Sequence, residues 1–225
     1  MKFRDYIDFM SPKLPRLYCL TSDNLNISHA EQVSVLCEAG VRLIQIRSKK
    51  LSQKELLTEA IQSVEICFKY DAKLIINDSL EVVQRSGADG VHLGQKDVNP
   101  RIARESLGDS KLVGITIHSK EQIDEDIHQI ADYIGMGPFR NSVTKADLKA
   151  NLSEEDYLYL INRTSPIPVF LIGGLDLHDF SLSRKLGNHG LAICSGLSKG
   201  SFLDNSRIRE FIRKSNQQNE MAVFQ

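Results

Sequence analysis

Two aspartates, Asp78 and Asp97, each follow a short apolar run that the sequence predicts to be a strand. The runs cover residues 74–76 and 91–93, with a helical segment between them. A strand, a helix and a second strand joined by a short return are typical of parallel pairing, which brings both carboxyl ends to one side. Two carboxylates there suit Mg²⁺, which binds through one or two carboxylates and substrate phosphates. The alternative is that Asp78 caps the helix and Asp97 is a solvated loop residue.

The same unit of a strand followed by a helix recurs along the whole chain. The predicted strands are 17–20, 41–46, 74–76, 91–93, 112–115, 132–136, 168–172 and 191–194. Eight such units predict an α/β fold with a single closed (β/α)8 TIM barrel over residues 1–225. An open, doubly wound sheet is the alternative. It is disfavoured because residues 21–24, after the first strand, form no glycine-rich fingerprint.

Three further segments complete the prediction. A short N-terminal helix is expected over residues 3–10, ahead of the barrel. Residues 120–130 are predicted to form one helix, and residues 206–214 the last one. The polar stretch 215–225 is predicted to be a frayed tail.

The composition excludes several classes of protein. The 225 residues include 28 basic and 29 acidic side chains, for a net charge of −1. There is therefore no basic excess to favour nucleic acid or an anionic membrane surface as a partner. No apolar run approaches the ~20 residues of a spanning helix. The four cysteines lack metal-ligand spacing and are interpreted as reduced thiols. We expect a cytoplasmic protein that binds small molecules. The sequence leaves the oligomeric state open, a homo-oligomer included.

In a (β/α)8 barrel the active site lies at the carboxyl ends of the strands. The residues predicted there are mostly polar, with three cations, two acids and several hydroxyl groups: Gln45, Arg47, Lys49, Asn77, Asp78, Gln95, Asp97, Thr116, His118, Ser142, Thr144, Lys145, Gly173, Gly174, Ser195 and Gly196. Cations and backbone N–H groups bind phosphate oxygens, and acids hold a metal. The set predicts a phosphorylated substrate bound through Mg²⁺.

Individual positions in this set allow more than one interpretation. Gln45, Arg47 and Lys49 alternate along a strand end and so point the same way, toward a bound anion or as a solvated basic rim. The glycines after the last two strands favour a phosphate site, and ordinary turns are the alternative. His118 is either a general acid or base, or a hydrogen-bonded structural residue. His92, inside a strand, is interpreted as a satisfied core residue.

Six segments in this order resemble the thiamine-phosphate synthase family, also called thiamine-phosphate pyrophosphorylase. They are GVRLIQIRSKK, KLIINDSLEVVQRSGADGVHLGQKDV, LVGITIHS, ADYIGMGPFRNSVTK, IPVFLIGG and GLAICSG. The resemblance covers about residues 17–199. It implies a (β/α)8 barrel that joins a hydroxymethylpyrimidine diphosphate to a thiazole phosphate and releases pyrophosphate.

The resemblance also implies roles for particular residues. The residues implied to bind the pyrimidine diphosphate or lie near its ring are Gln45, Arg47, Lys49, Asn77, Thr116 and Lys145, and of these Arg47, Lys49 and Lys145 would stabilise the leaving pyrophosphate. The residues implied to contact the thiazole phosphate are Ser142, Thr144, Gly174, Cys194 and Ser195. The implied ligands of Mg²⁺ are Asp78 and Asp97.

Two departures from the family pattern bear on substrate affinity. Ser48 stands where the family usually has Glu, and Ser142 stands where it usually has Thr. Two rival functions remain open. A thiazole tautomerase of the same fold would use a base such as His118, and a non-catalytic paralogue would only bind thiazole or thiamine phosphate.

Overall fold

The computed structural model describes residues 14–140 and 152–222. Eight strands form its centre: β1 (Leu17–Leu20), β2 (Leu43–Ile46), β3 (Lys73–Asn77), β4 (Gly90–Leu93), β5 (Leu112–Ile117), β6 (Tyr133–Met136), β7 (Val169–Ile172) and β8 (Gly190–Ile193). Every neighbouring pair is parallel, and β8 pairs with β1 to close the barrel. The predicted (β/α)8 barrel is therefore confirmed, and the open doubly wound sheet is excluded.

Eight α-helices of the described chain surround the barrel. They are α1 (His29–Ala39), α2 (Gln53–Lys69), α3 (Leu80–Ser86), α4 (Pro100–Leu107), α5 (Ile127–Ile130), α6 (Glu154–Thr164), α7 (Asp179–Leu186) and α8 (Asn205–Ala222). Local sequence sets several of the starts. Ser52 and Glu55 form the predicted capping box of α2, in which each side chain accepts a hydrogen bond from the other residue's backbone N–H.

Two predicted helices differ from the structure. Residues 120–130 do not form one helix but a 3₁₀ turn (Lys120–Gln122) followed by the single turn of α5. The last helix does not end at residue 214, because α8 continues to Ala222 through the segment predicted to be a frayed tail. The N-terminal helix predicted over residues 3–10 lies outside the described residues.

The apolar core has two parts. A large cluster fills the space between the barrel and the helices, and a smaller cluster fills the inside of the barrel. The inner cluster contains Tyr18, Tyr133 and Phe170, whose rings meet edge to face with centroids 5.4–5.8 Å apart. A barrel of eight strands is just wide enough for side chains to fill it. The barrel is therefore closed below the mouth, and polar side chains at the upper strand ends border the open space above.

Candidate active site

Asp78 stands at the carboxyl end of β3 in an unusual backbone conformation. Its φ is 65°, in the left-handed region that few residues other than glycine adopt, although Asp tolerates it better than most. Its N–H donates to the carbonyl of His92 on β4, over 2.9 Å. Ser79 caps α3, through a hydrogen bond to its hydroxyl from the N–H of Val82. The alternative that Asp78 is the helix cap is therefore wrong, and its carboxylate faces the mouth.

Lys49 meets Asp78 directly at the mouth. The ammonium Nζ lies 2.6 Å from Asp78 Oδ2, and the two side chains are 60% and 31% exposed. One residue follows β2 and the other follows β3, so the parallel pairing of these strands brings them together. An exposed ion pair of this kind contributes at most about 1 kcal/mol and is readily rearranged.

Asp97 lies beside Asp78, at the end of β4. Its Oδ2 accepts a hydrogen bond of 2.7 Å from the N–H of Gly94. Partial burial raises the pKa of the Asp97 carboxyl, and the neighbouring carboxylate of Asp78 raises it further. A carboxyl group whose ionisation is opposed by a neighbouring carboxylate marks a place where bound positive charge is favourable.

The carboxylates of the mouth suit a metal ion that keeps part of its water shell. Among residues 14–140 and 152–222, no group of three or more His, Cys, Asp and Glu side chains is arranged to hold one. Mg²⁺ does not require such a group, because it commonly keeps several waters and binds one or two carboxylates plus substrate phosphates. The adjacent oxygens of Asp78 and Asp97 fit that pattern.

Asp23, in the loop after β1, was missed by the sequence analysis. Its carboxylate accepts hydrogen bonds from the hydroxyl of Ser48 at 2.5 Å and from the N–H of Lys49 at 2.7 Å. His29 Nε2 lies 3.1 Å from the same carboxylate. Burial alone would raise the pKa of Asp23, but these hydrogen bonds outweigh burial and lower it. Asp23 thus fixes the loop that carries Lys49, and Ser48 completes that contact.

Arg47 and Gln45 occupy the strand end that precedes this loop. The N–H of Arg47 donates to Thr21 Oγ1 over 3.1 Å. Burial lowers the pKa of His92, and the charge of Arg47 lowers it further. Burial raises the pKa of Cys194, and the charge of Arg47 opposes that rise in part. His92 lies on β4 and Cys194 follows β8, so the Arg47 charge is close enough to act on side chains from both strands. Gln45 is only 2% exposed and points into the barrel.

Thr116 and His118 lie at the carboxyl end of β5. Thr116 Oγ1 is 2.8 Å from His92 Nε2, and its carbonyl accepts from Gln95 Nε2. His118 Nδ1 is hydrogen-bonded to the carbonyl of Gly137, and the His118 N–H donates to Gln122 Oε1 over 2.6 Å. The contact with Gly137 holds the loop after β5 against the end of β6, and the contact with Gln122 lies within that loop.

The loops after β6, β7 and β8 meet on the other side of the mouth. Arg140 donates to the carbonyl of Gly174 at 2.8 Å and forms two hydrogen bonds with the buried carboxylate of Asp179. Gly173 and Gly174 have φ of 102° and 63°, and added Cβ atoms would lie 2.8 and 2.9 Å from Pro138 and Arg140. The glycines therefore allow the two loops to pack together.

Three comparisons with known proteins agree. The family model described as thiamine monophosphate synthase matches residues 17–197. The chain belongs to this family. It is 40% identical over 161 residues to the thiamine-phosphate synthase of Dictyoglomus turgidum, covering 71% of this chain and 72% of that protein. For the synthase of Dictyoglomus thermophilum the identity is 38% over 175 residues, covering 77% and 74%.

A solved structure extends the similarity to the whole barrel. The thiamine phosphate pyrophosphorylase from Pyrococcus furiosus superimposes with a TM-score of 0.76 at 25% identity, covering 90% of this chain and 96% of that chain. The resemblance inferred from the six sequence segments is thus confirmed, and with it thiamine-phosphate synthase as the function at the level of the family. A transferase of thiamine biosynthesis is accordingly the activity class of this chain.

The structure brings together most of the residues to which the resemblance to the thiamine-phosphate synthase family assigns a role. Those at the ends of β2 to β5 border one mouth: Gln45, Arg47, Lys49, Asn77, Asp78, Asp97 and Thr116. Gly174, Cys194 and Ser195 border it from β7 and β8; the thiol of Cys194 lies 3.7 Å from the carbonyl of Thr21, and Ser195 begins a 3₁₀ turn. Ser142, Thr144 and Lys145 lie outside the described residues.

In the described part of the chain, no helix is long and apolar enough to span a membrane.

Proposed function

We propose that this thiamine-phosphate synthase condenses 4-amino-2-methyl-5-hydroxymethylpyrimidine diphosphate with 4-methyl-5-(2-phosphooxyethyl)thiazole. The products are thiamine phosphate and pyrophosphate. The family match over residues 17–197 carries the proposal. Its local support is the placement of Asp78, Asp97 and Lys49 around one point of the mouth, where a diphosphate and a metal would meet.

The reaction breaks the bond between the methylene carbon of the pyrimidine and a diphosphate oxygen, and that oxygen keeps the electron pair. The electron-rich aminopyrimidine bears the cation that remains at the methylene carbon. The thiazole nitrogen then forms the new C–N bond with its lone pair. No protein nucleophile is needed, so the chain contributes by positioning two substrates and stabilising charge.

The cations of the site meet the diphosphate in this proposal. Arg47 follows the carboxyl end of β2, and Lys49 exchanges its contact with Asp78 for the oxygens of the diphosphate. Lys145 is assigned to the same group by the resemblance. Positive charge held at fixed positions stabilises the departing pyrophosphate more than it stabilises the bound substrate, which is the condition for acceleration.

Asp78 and Asp97 would hold Mg²⁺ together with diphosphate oxygens. When bound there, Mg²⁺ supplies charge that neutralises the leaving group. Asp23 supports this side of the site by fixing the backbone of Lys49. The thiazole phosphate is assigned to the opposite side, where Ser142, Thr144, Gly174, Cys194 and Ser195 would surround it. Support for that side is the contact between the loops after β6 and β7.

Turnover measured with both substrates, with and without Mg²⁺, tests the proposal. Formation of thiamine phosphate and pyrophosphate that stops in excess chelator is the expected result. Thiazole isomerisation without consumption of the diphosphate would replace the synthase by the tautomerase. Tight binding of thiazole phosphate or thiamine phosphate without turnover would identify a non-catalytic paralogue. Full activity in chelator would overturn the metal assignment alone.

A further inference from the structure

A continuous line of hydrogen-bonded side chains crosses the inside of the barrel below the mouth. Gln45 Nε2 donates to the Tyr18 hydroxyl over 2.5 Å, and the Tyr18 and Tyr133 hydroxyls are 2.9 Å apart. His92 Nδ1 lies 3.2 Å from the Tyr133 hydroxyl, and His92 Nε2 lies 2.8 Å from Thr116 Oγ1. The line therefore joins Gln45 on β2 to Thr116 on β5, two residues assigned to the pyrimidine.

The interior of the barrel is shaped to hold this line. Tyr18 and Tyr133 are 2% and 0% exposed, so that their hydroxyls can bond only to protein groups. Gly114 makes room for Tyr133, since a Cβ at this glycine would lie 2.1 Å from the Cζ of the ring. His92 stacks on the same ring, with centroids 5.5 Å apart. Packing thus fixes both tyrosines, and each buried hydroxyl needs a partner for its proton.

The direction of the hydrogen bonds follows from the first donor. Because Gln45 Nε2 donates to Tyr18, the Tyr18 proton has only Tyr133 as an acceptor among the described residues. The Tyr133 proton must then go to Nδ1 of His92. A neutral imidazole that accepts at Nδ1 carries its proton at Nε2 and donates it to Thr116. Both tyrosine hydroxyl protons and the imidazole proton have acceptors in this arrangement, and the hydroxyl proton of Thr116 is left for the mouth.

The line determines what the two ends offer to a ligand. Within the described part of the chain, Oε1 of Gln45 accepts no hydrogen bond although the side chain is only 2% exposed, so this oxygen is an acceptor left open to a ligand on the β2 side. Thr116 presents a donor on the β5 side. An aminopyrimidine carries both complements, an exocyclic N–H donor and ring nitrogen acceptors. With an oxo group in place of the amino group, the oxo oxygen and Gln45 Oε1 would face each other as two acceptors without a proton between them.

We propose that Tyr18 and Tyr133 are positioning residues that fix the amide of Gln45 and thereby select an exocyclic amino group on the pyrimidine over an oxo group. The inference rests on the proposed function, because it takes the pyrimidine to lie against Gln45. Neither tyrosine touches the substrate. They act only through the orientation of the Gln45 amide. If the hydrogen bonds along the line reversed their donors and acceptors, this amide would rotate by about half a turn and exchange its oxygen and nitrogen.

Changing each tyrosine to Phe should affect the Gln45 amide in a different way. In Tyr18→Phe the Gln45 amide loses its acceptor and is free to rotate. In Tyr133→Phe the Tyr18 proton loses its acceptor. It must then be donated to Gln45 Oε1, which turns Nε2 toward the mouth. Tyr133→Phe should therefore change ligand preference at least as much as Tyr18→Phe, although Tyr133 does not contact Gln45.

The experiment measures, by calorimetry with Mg²⁺ present, the dissociation constants of the 4-amino pyrimidine diphosphate and its 4-oxo analogue. The wild type should prefer the amino compound by about a hundredfold or more, as expected of a site built to hydrogen-bond one group. Both Phe variants should lower that ratio at least about tenfold. Tyr157→Phe is the matched control, because Tyr157 is 1% exposed and its hydroxyl makes, among the described residues, only a 3.4 Å contact with the carbonyl of Pro138.

The outcomes separate the inference from the proposed function. An unchanged ratio in both Phe variants overturns the inference, even where affinity for both ligands falls. A wild type that binds both ligands equally, or neither, overturns it as well. An equal loss of preference in Tyr157→Phe would assign the effect to general packing and overturn it too. Turnover of the two natural substrates, measured in parallel, tests the proposed function independently of this ratio.

Discussion

Lys49 Nζ lies 2.6 Å from Asp78 Oδ2, so a cation expected to bind the diphosphate is paired with an acid expected to bind the metal. The pair is partly exposed, and water screens its attraction. A diphosphate entering with a divalent cation would offer each side chain a partner of higher charge. The contact is thus suited to hold both groups near the mouth before the substrates arrive.

Asp78→Asn and Asp97→Asn should each lower kcat by about 100-fold or more, because the charge stabilisation expected from a metal ion amounts to several kcal/mol. Affinity for thiazole phosphate should change little, since that substrate is assigned to the opposite side of the mouth. The measurement is turnover against Mg²⁺ concentration. Glu81→Gln is the control, because Glu81 pairs with Arg85 on the exposed face of α3. A wild-type Mg²⁺ requirement in both Asn variants would contradict the assignment.

His118→Gln should retain most of the synthase activity. The imidazole is engaged through Nδ1 with the carbonyl of Gly137, and the departure of pyrophosphate needs no protein base. We expect kcat within about tenfold of wild type, well short of the 10²–10⁴-fold scale of general acid–base catalysis. Steady-state kinetics with both substrates decides the matter. A loss of roughly 10³-fold would instead favour the tautomerase chemistry.

Asp179→Asn should weaken the phosphate side of the site. The Asp179 carboxylate is 4% exposed and receives hydrogen bonds from Arg140 and from the N–H of Asp176. Its neutralisation should lower the free energy of unfolding by about 1–3 kcal/mol and raise the KM for thiazole phosphate more than that for the diphosphate. Glu154→Gln is the control, since Glu154 pairs with Lys185 at the surface. Equal changes in both KM values would count against this division of the site.

His189 should make stability depend on pH. Burial lowers the pKa of its imidazole, and the hydrogen bond from Nε2 to the carbonyl of Leu14 opposes this only in part. The unfolded chain then binds more protons than the folded one between an ordinary His pKa of about 6.5 and the lowered value, so the free energy of unfolding falls as the pH falls through that window. Chemical denaturation across this pH window should show a flatter profile for His189→Asn than for the wild type. An equally steep profile in the variant would contradict the role of His189.

The sequence determined the barrel and the strand-end positions of the site. Eight apolar runs separated by helical segments are compatible with few other folds, and the carboxyl ends of parallel strands necessarily share one edge. For that reason Asp78 and Asp97 could be placed together from chain order alone. The capping box of Ser52 and Glu55 was equally predictable, because it depends on residues only three positions apart.

The local sequence pattern predicted two helix boundaries wrongly. Residues 120–130 contain enough apolar side chains to predict one helix, but Arg101 on α4 pairs with both Asp124 and Asp126. These pairs are compatible with the break before α5. The last helix was predicted to end at the first long polar stretch, because periodicity of apolar residues gives no signal there. The structure continues α8 through that stretch.

Only the tertiary structure decided which side chains meet at the mouth and inside the barrel. Asp23 contacts Ser48, Arg140 contacts Asp179, and the hydroxyls of Tyr18 and Tyr133 meet although 115 residues separate them. Each contact joins different βα units, and its geometry depends on the closure and stagger of the whole barrel. Residue types and spacing along one strand cannot specify such pairs, because the partner of each side chain is set by the neighbouring strands.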